Sequence, residues 1–171
     1  MKEISLHILD IVQNSISAKA TLVKIVVDEN TKKNELVIKI IDNGIGMSKE
    51  VVEKVMNPFF TTRTTRNVGL GIPLFQAAAE RCGGEFHIWS EIGKGTQIIA
   101  KFKYDHIDRA PIGKIHDTIL TIIMSNAIID CIYIHRCNEK KVVFDTRKVK
   151  RMLEGVPLTN EDVLLWIQKN I

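Results

Sequence analysis

Two segments constrain this chain most: "TLVKIVVDE" (21–29) and "ELVIKIID" (35–42). Both alternate apolar with polar residues and are rich in β-branched types. With the polar turn "NTKKN" between them, they are expected to form an antiparallel hairpin. Such a hairpin has one apolar face, which calls for a covering layer. The preceding segment "EISLHILDIVQNSISA" (3–18) supplies one, because Ile4, Ile8, Ile11, Val12 and Ile16 fall at helical spacing with no glycine or proline among them. Downstream, Ser48 can cap a short helix over "KEVVEKVM" that ends before Pro58. A glycine-led helix is expected over about 70–82, stopped by Gly83 and Gly84. "EFHIWSE" and "TQIIAKFKY", joined at "IGKG", make a second hairpin. This order predicts an α/β fold, a two-layer sandwich with helices on one side of a sheet.

The polar run "DHIDRAPIG" (105–113) reads as a linker between a first unit (1–104) and a tail (114–171). The tail's pattern is a helix at about 114–125, strands at about 128–136 and 141–145, and two short helices separated by Pro157. It is a small α+β extension. The whole chain, 171 residues with 45% hydrophobic and 26% charged, is long enough to bury a core. Its formal charge of +4 is modest and its Lys and Arg are scattered, so no nucleic-acid partner is expected. Cys82, Cys131 and Cys137 lack ligand spacing, which fits a reducing cytoplasm rather than a disulfide framework or zinc site. No run of about 18 apolar residues exists, so no membrane span is expected.

Several short stretches carry chemistry. "NPFFTTRTTRNVGLGIPL" (57–74) sets threonines and arginines before a pair of glycines, a composition suited to bringing backbone close to phosphate. "DNGIGM" (42–47) ends a strand with a carboxylate followed by two glycines, so backbone can approach a flat ligand there. On the first helix Asp10 and Asn14 share a face, with His7 and Ser17 one turn to either side. An amide oxygen beside a carboxylate suits magnesium, which needs few protein ligands. Two other phosphate motifs fail. "GLGIPL" lacks the third glycine and the preceding strand of a dinucleotide fingerprint, and "EIGKGT" lacks the spacing of a P-loop.

Taken in order, "LDIVQNS", "DNGIGM", "NPFFTTR", "GLGIPL" and "GKGT" resemble the GHKL superfamily of ATP-binding domains, which includes gyrase B, the heat-shock chaperone, histidine kinases and mismatch-repair ATPases. The resemblance covers roughly 1–104 and implies the histidine-kinase/gyrase B type of sandwich, with ATP and magnesium as ligands. It implies that Asn14 ligates magnesium and that Asp42 accepts a hydrogen bond from the adenine amine. Gly44, Gly46 and Met47 belong to the first glycine box; Gly69, Leu70 and Gly71 belong to the second; and Thr96 closes the adenine end. Phe59 and Phe60 match the aromatic box as packing anchors. Residues 61–67 match the lid, in which either Arg63 or Arg66 meets a phosphate.

The departures from the pattern bear on activity. "NVGLGI" stands where "GTGLGL" is usual, so one lid glycine is missing. Asp10 stands where some relatives carry a glutamate that polarises the attacking group, and it is one methylene shorter. It is the candidate general base. His7 can hydrogen-bond Asp10 at this spacing but is expected to be exposed. Three uses of ATP remain open: phosphotransfer, a slow ATPase switch, and non-catalytic ATP sensing. No helical hairpin bearing an acceptor histidine precedes residue 3, so the acceptor is expected on a partner protein. The tail segment "FDTRKVKRMLEGVPLTNEDVLLWIQKNI" resembles the C-terminal part of small stand-alone ATP-binding proteins of anaerobic bacteria associated with iron-hydrogenase subunits. That resemblance implies a docking element.

Overall fold

Strand β1 (Leu22–Asn30) pairs antiparallel with β2 (Glu35–Asp42), and burial alternates along both as the sequence pattern requires. This is a computed structural model, and it describes residues 3–57, 59, 70–126 and 128–171. Val23, Ile25, Val27, Leu36, Ile38 and Ile40 are all essentially inaccessible. They form the floor on which helix α1 (Ile4–Ser17) lies, burying Ile4, Ile8, Ile11 and Val12. Helix α2 (Lys49–Met56) begins where Ser48 accepts a hydrogen bond from Val51 N–H, as expected of a cap. Helix α3 (Gly71–Arg81) ends at Gly83, whose φ of 66° lies in the left-handed region. Strands β3 (Glu85–Glu91) and β4 (Gly95–Lys103) then form the second hairpin, and β4 pairs with β2.

The C-terminal segment adds helix α4 (Ile115–Ser125), strands β5 (Asp130–Cys137) and β6 (Lys140–Asp145), and helices α5 (Thr146–Met152) and α6 (Glu161–Asn170). Strand β5 pairs in parallel with β1, so one six-stranded sheet runs β3-β4-β2-β1-β5-β6. Helix α4 packs beside α1, and Ile119, Ile122, Cys131 and Tyr133 belong to the same buried cluster as Ile8 and Ile25. Nor is 105–113 a loose tether. Its carbonyls at Pro111 and Ile112 accept from Ile4 N–H (2.9 Å) and Ser5 N–H (2.8 Å), satisfying donors that the start of α1 leaves unpaired. Thr118 of α4 adds a bond to Ser5 O. Helix α1 is therefore held between α3 on one side and the tail on the other.

Candidate nucleotide site

The polar ends of α1, β2 and β4 converge on a cavity of about 420 Å³. Asp42, the last residue of β2, lies opposite Thr96 in the sheet register. Its Oδ1 accepts from Gly44 N–H (2.9 Å) and Thr96 N–H (3.3 Å), while its Oδ2 accepts from the Ser15 hydroxyl at 2.6 Å. The carboxylate is thus fixed from three elements. Asn14 and Ser17 line the same cavity from α1. Ile11, Met47, Val51, Val55, Ile72 and Ile98 make its walls apolar. An apolar slot with one anchored carboxylate at its end accommodates a flat heterocycle.

The loop after β2 is pinned tightly. Asn43 Oδ1 accepts from both Thr21 N–H and Leu22 N–H at 2.9 Å, and Ile45 N–H donates to Ala18 O. Gly46 has a φ of 71°, and a Cβ there would collide with the Glu91 carbonyl oxygen, so only glycine fits this closure. Met47 N–H donates to Ser90 Oγ (2.8 Å), which lies 2.8 Å from Thr96 Oγ1. Thr96 therefore joins the β2 loop to the β3–β4 hairpin. Ser15 and Ser90 were missed in the sequence because serine carries no pattern of its own; each matters only for what the fold sets opposite it.

Ile72, in the first turn of α3, also lines the cavity. Leu70 precedes the helix, half-exposed and giving no side-chain cap, and Gly71 is its first residue. A Cβ on Gly71 would lie 3.1 Å from Asp10 Cβ, so α3 approaches α1 closely at this point. The Asp10 carboxyl sits beside that first turn, and partial desolvation there pushes its pKa up. The uncapped N–H groups of such a turn suit an anion. Phe60, Arg63, Arg66 and Gly69, assigned to the lid and its borders, lie outside the described residues.

Two expectations are corrected. His7 is not exposed. It is 2% accessible, stacked on Phe75 at 5.1 Å, with Nδ1 unpaired among the described residues. Helix α3 crosses α1 over this turn, and burial pushes the imidazole down to about 4, with the Arg81 charge acting in the same direction. Phe59 is no packing anchor either: it is 94% exposed, in a turn where its N–H donates to Asn57 Oδ1.

An apolar slot ending in an anchored Asp, with an Asn on the facing helix and a glycine-led helix behind it, agrees with the family model that matches residues 2–106, described as histidine kinase-, DNA gyrase B-, and HSP90-like ATPase. The chain belongs to this ATPase family. It is similar to sporulation kinase D of Bacillus subtilis (29% identical over 91 residues; 53% of this chain, 18% of that protein). It is also similar to sporulation kinase C of Bacillus subtilis (29% over 99 residues; 57% and 23%) and to sensor kinase CckA of Brucella abortus (37% over 62 residues; 36% and 7%). The chain thus spans less than a quarter of the length of these relatives. What family membership supports is an ATP-binding, kinase-like domain. Among the described residues no helix is long and apolar enough to cross a membrane.

Proposed function

We propose that this protein binds ATP with magnesium and transfers a phosphoryl group to a partner protein rather than to itself. The observation that carries the reading is the cavity itself, with Asp42 anchored and Asn14 lining it, and with Asp10, one turn from Asn14 on α1, beside the first residue of α3. Among the described residues no group of three His, Cys, Asp or Glu side chains can hold a metal. Magnesium, which keeps several waters and shares phosphate oxygens, fits a site that offers only the Asn14 carboxamide and a nearby carboxylate. When bound, it would screen phosphate charge. The chain's own part is to seat the base against Asp42, direct the phosphates to the first turn of α3, and exclude water with the apolar walls.

Among the described residues no histidine lines the cavity, and His7, the one nearest Asp10 in sequence, is closed off by Phe75. Transfer to a histidine of the described residues therefore has no support in this geometry. Asp10, with its raised pKa, also favours a second reading as a slow ATPase switch, in which it takes a proton from water. ATP sensing without turnover is the third. Labelled ATP distinguishes them: label from the γ-phosphate recovered on a second protein supports transfer, free phosphate alone supports the switch, and tight binding with neither supports sensing. Asn14→Ala should weaken ATP when magnesium is present and leave metal-free ADP binding nearly unchanged. Equal weakening with and without the metal would remove Asn14 as its ligand.

A further inference from the structure

A carboxylate offers about four lone-pair positions. At Asp42 two of them, both on Oδ1, are taken by Gly44 N–H and Thr96 N–H, and one on Oδ2 is taken by the Ser15 hydroxyl. Ser15 Oγ also lies 3.3 Å from Ile11 O, but one hydroxyl has one proton. The 2.6 Å contact to a charged oxygen is the stronger of the two, so the proton points to Asp42. Two consequences follow for the cavity. One acceptor position remains on Asp42 Oδ2, and Ser15 Oγ, its proton committed, presents only lone pairs. Ser15 and Asp42 both line the cavity, and Ser15 is 2% exposed, so bulk water does little to relax this arrangement.

We propose that Ser15 is a positioning residue that locks the Asp42 carboxylate, so that this edge of the cavity presents acceptors alone and selects a purine bearing an amino group at position 6. A 6-keto oxygen placed there would face the lone pairs of both side chains without a donor between them, an arrangement that a buried site penalises strongly. The inference rests on reading the cavity as an adenine site, and it adds that discrimination belongs to the Ser15–Asp42 pair and not to Asp42 alone. Without Ser15, the carboxylate keeps its Oδ1 bonds but loses the contact that fixes Oδ2.

The test compares ATP with inosine triphosphate, which differs at position 6, by titration calorimetry on the full chain. Wild type should prefer ATP. Ser15→Ala should weaken ATP roughly tenfold, as loss of a bond to a charged group implies. Its inosine triphosphate affinity should change much less, so the ratio of the two falls by nearly the same factor. Ser15→Cys is close to serine in size but a weak donor, and should also lose the ratio. A merely structural serine would weaken both nucleotides together. Equal weakening, or a wild-type ratio retained in either variant, overturns the role given to Ser15 while leaving the adenine reading standing. A wild type with no preference for ATP overturns both.

Discussion

The half of the chain that the family model matches and the half that follows it share one sheet and one core, yet they treat their polar groups in opposite ways. In the tail a polar cluster around the start of α5 closes on itself. Asp145 caps α5 through Arg147 N–H and pairs with the Arg147 guanidinium at 2.8 Å, which holds its carboxyl below the usual range. Asp130 takes Lys150 at 2.7 Å and the Thr146 hydroxyl at 3.0 Å, and Thr146 in turn accepts from Cys131 N–H. In the matched half, Asp42, Asn14 and Thr96 converge on open space. A satisfied polar cluster holds the chain together, whereas an anchored but incompletely satisfied one leaves capacity for a ligand.

The sharpest way to break this comparison is to separate the halves. Because β5 completes the β1 edge and α4 braces α1, a chain ending at residue 104 should lose more than the roughly 5–15 kcal/mol that holds a domain of this size together. Urea unfolding of the full chain should show one transition, and the shortened chain none. Two separate transitions in the full chain would show that the tail only leans on the rest.

A smaller effect concerns His7, a buried polar group in the matched half that belongs to the core and not to the cavity. Its folded pKa of about 4 lies below the usual imidazole value of 6.5, so between those values the unfolded chain binds a proton that the folded chain does not. Its contribution is therefore complete above about pH 6.5 and is lost as pH falls toward 4, amounting to about 3 kcal/mol. His7→Leu should flatten that part of the stability–pH curve. An unchanged slope would place the acid sensitivity elsewhere.

The third measurement sets two aspartates side by side. Asp42→Ala should weaken ATP by about ten- to a hundredfold, the worth of a charge-assisted bond of about 1.5–3 kcal/mol. Asp145→Ala should cost about 0.5–2 kcal/mol of stability through the lost cap and leave ATP affinity alone. If the two variants exchanged these effects, the distinction between a closing cluster and an open one would fail.

Much of this was legible without coordinates. The period-2 and period-3.6 patterns indicated the helices and strands found among the described residues, because these signals depend on neighbours within one element. Ser15 was not legible: its importance comes from an aspartate 27 residues away. His7 was misread for the same reason, since its face of α1 is polar by composition and is covered only because Phe75 crosses it.

By itself, then, the sequence determined the elements, their amphipathic faces, and the order of motifs that places this chain in an ATPase family. Local backbone preference and hydrophobic periodicity act over a few residues and survive in the unfolded chain's own pattern. Tertiary structure alone decided that β5 runs parallel beside β1, that the 105–113 segment ties to the start of α1, and that Ser15 and Asp42 meet at 2.6 Å. Those contacts join residues far apart in sequence. Nothing in either partner's neighbourhood encodes the meeting; it arises when the shared apolar core closes and fixes which polar groups are left facing one another.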